Sequence, residues 1–302
     1  MNRSVLLTVV LVAAFVLLGM QPQVAYAWGK NGHRITAKLG EDRLSPKAHA
    51  AVRALAGTKS LALLSNWADF IRSDPAWDCI KPMHYVTVDD DETLEQGMAK
   101  PAYLSRACNG ELFKTLNMPN NIVSAIDYFA EIVAGDPAKA ADFAALLADS
   151  GATPLDNSIR LTALALLVHF VGDIHQPLHV GRSDLGANVI SVQWFGELTN
   201  LHTVWDTELI EFQQLSYTEF TAFLEQEFAN KKGLGLGLGP VTWAHESIAH
   251  RVQVYDAGDD GHPQANLPRL SYEYAAAQNA LLNRRLYSGG TRLGQLLNSI
   301  FE

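Results

Sequence analysis

The stretch that decides the fold is LVHFVGDIHQPLH, residues 167–179. Its apolar residues recur at three- and four-residue spacing, which predicts a buried helix that Pro177 brings to an end. His169 and Asp173 are four residues apart and therefore share one face of that helix. His179 follows in the turn and can fold back toward the same end. Buried imidazoles and carboxylates are costly unless they are paired or coordinated, so the stretch predicts a polar centre inside a helical domain.

A second pair repeats this spacing, since His202 and Asp206 are also four residues apart in NLHTVWDTEL. One such pair on an apolar helix is usually a structural contact. Two pairs together with His179, all within residues 169–206, are much harder to explain by packing alone. Imidazole and carboxylate side chains form a typical zinc ligand set, so the spacing predicts a metal centre.

Two further segments supply polar side chains of the same kinds. SNWADFIRSDP, at 65–75, places Asp69 in a predicted helix with Arg72 three residues later, near the same face. KPMHYVTV, at 81–88, places His84 at the start of a predicted strand. Taken alone, each of these residues would be interpreted as an ordinary surface or structural residue.

The spacing of apolar residues predicts helices along most of the chain. Two segments favour strands instead, HYVTV at 84–88 and NVISVQWF at 188–195, the second being rich in β-branched and aromatic residues. We therefore predict a mainly α fold, a single compact multi-helix domain with a short β-hairpin. The predicted helices span residues 45–56, 60–73, 120–134, 137–149, 156–175, 200–213, 217–230, 241–256 and 271–298.

Residues 1–27 have the pattern of a secretory signal peptide, with a positive start, an apolar run at 5–18 and an A-x-A site that ends at Ala27. The run is about 14 residues long, whereas a helix needs about 20 to span a bilayer, which disfavours an uncleaved anchor. We expect cleavage after Ala27, a mature domain of residues 28–302 that begins with Trp28, and a periplasmic or secreted location.

The charge of the chain limits how it could bind an acidic partner. It has 23 basic and 32 acidic residues, a formal net charge of −9, and loss of the single basic residue of the signal segment would make this −10. This charge disfavours a nucleic-acid binder that works through a basic surface. Bound cations would reverse the balance locally, because ions are often the largest charges in a site.

The chain contains two cysteines, Cys79 and Cys108. In an oxidising export compartment they are expected to form a disulfide, with two free thiols as the alternative. Two cysteines cannot build a thiolate zinc finger, so any metal must be held mainly by histidine and aspartate.

With these motifs together, the chain resembles the zinc-dependent single-strand nucleases of fungi, plants and bacteria, the 3′-nucleotidase/nuclease family, which is related to the bacterial zinc phospholipases C. The resemblance extends from Trp28 to about Asp206 through five motifs. It implies a phospholipase C/nuclease-like fold, a site with three Zn²⁺ ions, and hydrolysis of single-stranded DNA and RNA to products that carry 5′-phosphate. It also implies 3′-nucleotides as further substrates, with no stable protein partner and no membrane anchor in the mature chain.

The ligands that the resemblance implies are imidazoles, carboxylates and the mature chain terminus, and every implied position is filled in this sequence. They are Asp69, His84, His169 and Asp173 for the first ion, His179, His202 and Asp206 for the second, and His33, Asp173 as a bridge, and the α-amino nitrogen and carbonyl oxygen of Trp28 for the third. Cleavage after Ala27 would therefore create a metal ligand.

The resemblance also implies roles in catalysis and substrate binding. Asp69 would orient or deprotonate the attacking water, and Arg72 would neutralise charge on the transferred phosphoryl group. Asn188 would donate a hydrogen bond to the phosphate, and Tyr85 would stack on a base. The alternatives are a surface ion pair for Arg72, a turn residue for Asn188 and a core strand residue for Tyr85. Thr87 departs from a base-reading aspartate of some family members, which leaves the base preference open.

Two other functions are compatible with part of this pattern. A zinc phospholipase C would use the same metals on a lipid, but the spacing of His33 from Trp28 and the presence of Arg72 favour a nuclease. A non-catalytic zinc-binding export protein would require neither Arg72 nor Asn188.

Overall fold

The computed structural model describes residues 28–231, 233–237, 239–256 and 267–302, and the predicted signal peptide lies outside these ranges. The structure confirms a mainly α fold with one small sheet. Within the described ranges, no helix combines the length and the apolar character that a membrane span requires.

The α-helices vary from single turns to one helix of 30 residues. They are α1 (Lys30–Glu41), α2 (Pro46–Ala56), α3 (Leu61–Leu64), α4 (Trp67–Ile71), α5 (Leu94–Met98), α6 (Gly110–Thr115), α7 (Ile122–Ala134), α8 (Pro137–Ser150), α9 (Ile159–Asp173), α10 (Leu201–Thr203), α11 (Leu209–Glu211), α12 (Tyr217–Phe228), α13 (Gly239–Tyr255) and α14 (Tyr272–Phe301).

Other helical turns and a small sheet complete the fold. The 3₁₀ segments are Pro75–His84, Leu155–Asn157 and Pro177–Val180, and a π-helical turn covers Val204–Glu208. The strands are β1 (Ser191–Trp194), β2 (Glu197–Asn200) and β3 (Arg269–Leu270). β1 and β2 form an antiparallel hairpin, and β3 pairs with β1 in parallel to give the order β2-β1-β3.

Helix α9 lies at the centre of the larger core, where every residue from Leu161 to Asp173 is buried. A helix that is apolar all round is stable only inside a protein, which explains this position. Ser158 caps the helix by accepting a hydrogen bond from the amide of Leu161. Helices α7 and α8 pack against α9. A second core surrounds Trp28, α10, α11, α12 and the first half of α14, and the polar centre lies where the two cores meet.

The prediction of a strand at 84–88 is wrong. His84 ends the 3₁₀ segment, and the residues after it are extended without joining the sheet. The amides of Val86 and Val88 donate to the carbonyls of His179 and Gly181, at 2.9 and 2.8 Å. Because the carbonyls belong to a tight turn and not to a strand, the segment forms backbone hydrogen bonds without becoming part of a β-sheet.

Two other predicted boundaries also differ from the structure. The helix predicted at 60–73 is divided into α3 and α4, and the strand predicted at 188–195 is narrowed to β1. Helix α1, which the sequence analysis did not predict, packs along α14. Gly290 permits this approach, because a Cβ at that position would clash with the side chain of Leu39. Tertiary packing here outweighs the low helix propensity of the glycines in α1.

Candidate metal centre

All eight of the predicted ligand side chains lie together at the junction of the two cores, and each is at most 7% exposed. They arrive from seven different elements, of which only α9 supplies two. Three groups of these side chains place their ligand atoms within 4.8 Å of one another. The groups are His33, Asp69 and His169; His84, His169 and Asp173; and His179, His202 and Asp206.

Asp173 is the carboxylate on which most of the histidines converge. Its Oδ1 lies 3.3 Å from Nε2 of His33, and its Oδ2 lies 3.0 Å from Nδ1 of His84 and 3.2 Å from Nε2 of His169. Two oxygens that face imidazoles from three different elements are suited to bridging two metal ions. The rings of His33 and His169 stack with centroids 3.8 Å apart. The ligand atoms of His33, Asp69 and His169 lie within 4.8 Å of one another, although the resemblance assigns His33 and Asp69 to different ions.

Main-chain carbonyls orient three of the imidazoles. Nδ1 of His169, His179 and His202 donates to a carbonyl oxygen at 2.7, 2.8 and 2.6 Å. A proton held on Nδ1 leaves the lone pair on Nε2, which is the arrangement typical of metal-ligating histidines. The acceptors are the carbonyl oxygens of Ser65, His84 and Gly186.

The pair His202 and Asp206 spans a change of helix type. His202 belongs to α10, whereas Asp206 lies in the π-helical turn, and Nε2 of His202 is 3.0 Å from Oδ2 of Asp206. Single π-helical turns are rare and often occur at functional sites. The wider turn keeps residues four apart closely aligned on one face, so both side chains point into the same centre.

Gln176 contacts this group, although the sequence analysis assigned it no role. Its Nε2 donates to Oδ1 of Asp206 at 2.6 Å, and its Oε1 accepts from the amide of Leu178 at 2.6 Å. The second hydrogen bond fixes which end of the amide faces Asp206. Oδ2 of Asp206 consequently stays free for a metal. In the sequence, only the position of Gln176 within LVHFVGDIHQPLH indicated a role at the centre.

The cluster leaves an unusual number of buried polar atoms without a hydrogen-bond partner, which tests whether its donors suit a metal. Buried polar atoms are nearly always paired, because an unpaired one is costly. Imidazole nitrogens and carboxylate oxygens are ligands that zinc accepts, so the donor set fits zinc ions. The unpartnered atoms here are Nδ1 and Nε2 of His33, Oδ1 and Oδ2 of Asp69, Nε2 of His169, Oδ1 of Asp173, Nε2 of His179 and Oδ2 of Asp206.

The buried charged groups of the centre shift one another's pKa values. Burial alone would raise the pKa of Asp173, but the charges of His169 and His179 hold it well below its ordinary value. Burial opposes the charged form of His179, yet Asp173 and Asp206 raise its pKa to about 9. Burial lowers the pKa of His84 to about 3. The carboxylate of Asp173 is therefore ionised, as metal binding requires, whereas burial raises the pKa of Asp69, and an ion would displace a proton from His179.

The ninth predicted ligand, Trp28, lies beside this centre. Its side chain is fully buried in the second core. The amide of Gly29 donates to the carbonyl of Asp206 at 2.5 Å, so the backbone next to Trp28 is anchored to a predicted ligand. Helix α1 then begins at Lys30 and carries His33 into the same centre.

The predicted substrate residues lie around the rim. Arg72 caps the C-terminal end of α4. Burial raises the pKa of both Asp69 and Tyr85, and the positive charge of Arg72 partly offsets this effect. Tyr85 is 39% exposed and is therefore not the core residue of the alternative interpretation. The side-chain amide nitrogen of Asn188 donates to the main-chain carbonyl of Leu185 at 2.7 Å, within its own loop. The charge of Arg72 thus acts on both Asp69 and Tyr85, whereas Asn188 is engaged within its own loop.

The predicted disulfide is confirmed. Sγ of Cys79 lies 2.00 Å from Sγ of Cys108, and the described residues include no free cysteine. Cys79 belongs to the 3₁₀ segment that ends at His84, so the bridge ties this segment to the loop ahead of α6.

Comparison with known proteins agrees with this geometry. The sequence model of the S1/P1 nuclease family matches residues 28–302. Endonuclease 2 of Arabidopsis thaliana is 28% identical over 317 residues, covering 99% of each chain. Nuclease S1 of Aspergillus oryzae is 28% identical over 299 residues, covering 92% of this chain and 93% of its own length. The protein described here belongs to the S1/P1 nuclease family.

Proposed function

We propose that the protein is an exported zinc-dependent endonuclease that hydrolyses phosphodiester bonds of single-stranded DNA and RNA and leaves 5′-phosphate on the products. The observation that carries this proposal is the convergence of buried, unpartnered imidazole and carboxylate atoms in a member of the S1/P1 nuclease family. The relatives compared above are nucleases by name, which disfavours a phospholipase C. Hydrolysis of 3′-nucleotides is proposed as a second activity of the same site.

We assign three Zn²⁺ ions to the centre, which Asp173 would bridge. One ion would be held by Asp69, His84, His169 and Asp173, one by His179, His202 and Asp206, and one by His33, Asp173 and the terminal amine and carbonyl of Trp28. Three ions would bring six positive charges against three carboxylates, which leaves roughly +3 and explains how an acidic protein attracts a phosphate.

The chain's own residues would position the substrate for in-line attack. When bound, zinc supplies Lewis-acid polarisation of the phosphoryl oxygens and lowers the pKa of water toward neutrality. Asp69 has two buried oxygens without hydrogen-bond partners and would accept a hydrogen bond from the attacking water. Arg72 would neutralise charge that develops on the phosphoryl group. Asn188 would donate to a phosphate oxygen after releasing the carbonyl of Leu185.

Tyr85 would select for single strands. Its exposed ring, beside Arg72, can stack on a base of any identity, but only on a base that is already unstacked from its neighbours. Thr87 offers a base edge one neutral hydroxyl oxygen, whereas a carboxylate offers two charged acceptor oxygens. We therefore expect a weaker base preference than an aspartate at this position would provide.

Export would complete the site. Cleavage after Ala27 would free the amine of Trp28 next to the anchored Gly29, and the disulfide between Cys79 and Cys108 suits an oxidising compartment.

Product analysis tests the proposed function. The mature protein, with zinc and a free Trp28 amine, is offered single-stranded DNA, RNA and phosphatidylcholine in parallel, with and without a chelator. Release of 5′-mononucleotides that the chelator abolishes is the expected result. Release of diacylglycerol with nucleic acids left intact would replace the nuclease assignment with a phospholipase, and no turnover of any substrate would refute both.

A further inference from the structure

An exposed cation–aromatic pair lies next to the candidate metal centre, and the proposed reaction assigns neither of its residues a role. Nζ of Lys30 is 5.3 Å from the centroid of the Phe70 ring, and Phe70 is 57% exposed. The pair joins α1 to α4, the two helices that carry His33 and Asp69 into the centre.

Chain geometry places the pair close to two of the predicted ligands. Consecutive Cα atoms are about 3.8 Å apart, so Phe70 is held within one residue of Asp69. Lys30 precedes His33 by three residues on α1 and therefore lies near the same helix face. The pair is thus attached at both ends to residues that point into the metal centre.

The pair lies on the flank of Asp69 opposite to Arg72. On a helix each residue turns by about 100°, so Phe70 and Arg72, one and three residues after Asp69, project on either side of it. Arg72 therefore projects on one side of the buried carboxylate, where its charge also acts on Tyr85, and Phe70 with Lys30 beside its ring projects on the other. A single strand whose scissile phosphate lies over Asp69 would meet one aromatic–cation pair before that phosphate and one after it.

The charge environment favours a phosphate at this second pair. Among the residues that the structure describes, neither Lys30 nor Arg72 forms an ion pair, although the chain as a whole is acidic. The neighbouring Asn31 donates to Oε1 of Glu211 at 2.8 Å, which engages that carboxylate elsewhere. An exposed aromatic face with an unpaired ammonium group beside it is the combination by which proteins bind single-stranded nucleic acid, through base stacking and a phosphate contact.

We infer that Lys30 and Phe70 form a second nucleotide subsite, which stacks the base and binds the phosphate of the nucleotide on the other side of the scissile bond from Tyr85. This inference rests on the proposed nuclease function. The two residues position the strand and take no part in bond breaking. The subsite would give the enzyme higher affinity for oligonucleotides than for a 3′-mononucleotide, whose single nucleoside the Tyr85 side can accommodate.

The test compares Phe70→Leu and Lys30→Gln with the wild type on two substrates, a single-stranded oligonucleotide of about 12 nucleotides and a 3′-mononucleotide. The mononucleotide is scored by its hydrolysis or, without turnover, by its competitive inhibition. We expect Phe70→Leu to raise KM for the oligonucleotide roughly tenfold, with kcat and the mononucleotide constants changed by less than about twofold. Phe70→Tyr, which keeps the ring, should restore the wild-type KM.

Lys30→Gln should reduce the dependence of log KM for the oligonucleotide on log salt concentration by a slope of about 0.7, the value for one phosphate contact on a single strand. Two matched controls lie away from the centre. Phe223→Leu removes a ring that is 53% exposed, and Lys231→Gln removes an ammonium group 4.7 Å from an aromatic ring. Both controls should leave the oligonucleotide KM and its salt slope unchanged.

Three results would overturn the inference. Unchanged oligonucleotide kinetics in both variants would remove the subsite while leaving the nuclease assignment intact. An equal loss on both substrates, with a lower Tm, would show that the pair only ties α1 to α4. Equal effects from the control variants would show that any exposed ring or cation contributes. A wild-type enzyme that cleaves no nucleic acid would instead refute the proposed function itself.

Discussion

Asp173 shows how much one side chain contributes to the centre. Its two oxygens face His33, His84 and His169, and its buried Oδ1 has no hydrogen-bond partner. A carboxylate in this position could bind more than one ion, because its oxygens point in different directions. We therefore expect the proposed metal cluster to depend on this residue more than on any single histidine.

Replacement of Asp173 by alanine should remove more than one zinc ion per chain and abolish nuclease activity. Elemental analysis of the purified variant, with circular dichroism to verify folding, measures the first effect. Asp127→Ala, which changes an aspartate outside the centre, is the control. A variant that retains full zinc content and full turnover would contradict the bridging assignment.

Gln176 holds the proposed ligand Asp206 in place through a hydrogen bond. Gln176→Leu removes the hydrogen bond to Asp206 while keeping the side-chain volume similar. Loss of such an outer contact typically lowers metal affinity about 10–100-fold, and we expect that range for the ion held by His179, His202 and Asp206. Competition with a calibrated zinc chelator measures the affinity. Gln278→Leu, at another buried glutamine, should cost stability but not zinc affinity.

At the scale of whole elements, close contact between α1 and α9 positions two ligands. Gly172 precedes Asp173, and a Cβ there would lie 2.8 Å from Nδ1 of His33 and 3.3 Å from Oγ1 of Thr36. Glycine thus permits α1 to approach α9 closely enough for His33 to face Asp173. The neighbouring backbone and side chains of α9 are all buried, which leaves little room for adjustment.

Gly172→Ala should therefore displace His33 and weaken the third ion, although alanine favours helix formation by about 1 kcal/mol over glycine. Zinc content and activity should both fall, while far-ultraviolet circular dichroism stays native. Gly110→Ala is the control, since its Cβ would have no neighbour closer than 3.6 Å. Wild-type zinc stoichiometry in Gly172→Ala would mean that α1 can move without cost.

For the molecule as a whole, the proposed function couples maturation and metal binding through the chain terminus. Trp28 is buried beside the centre, and the amide of Gly29 donates a hydrogen bond to the carbonyl of Asp206. Residues left in front of Trp28 would convert its amine into an amide, which is a poor zinc ligand. The signal peptide would thus have to be removed before the third site is complete.

A short extension before Trp28 should lower the zinc content by up to one ion per chain and reduce turnover, as measured by elemental analysis and oligonucleotide cleavage. The same residues added after Glu302, which is exposed, provide the control. Normal zinc content and turnover in the N-terminally extended protein would refute the role of the terminal amine.

Sequence alone predicted the helical class, most long helices, the disulfide and the complete set of candidate ligands. The helices and the two His-x-x-x-Asp pairs are local features, because helix periodicity and four-residue spacing lie within one element, whereas the disulfide was predicted because the chain has only two cysteines. The ligand residues were recognisable because two His-x-x-x-Asp pairs are difficult to explain by packing. The family resemblance then assigned residues such as His33, Asp69 and His84, whose own neighbourhoods are unremarkable.

Only the tertiary structure decided which side chains meet and what supports them. The segment after His84 proved extended but unpaired with the sheet, because its hydrogen-bond partner is the turn at His179 and not a strand. Gln176, the carbonyls that orient the imidazoles and the Lys30–Phe70 pair all join parts of the chain remote in sequence. Such contacts depend on how helices pack, which no local pattern encodes, whereas the residue types able to bind zinc were determined by the sequence itself.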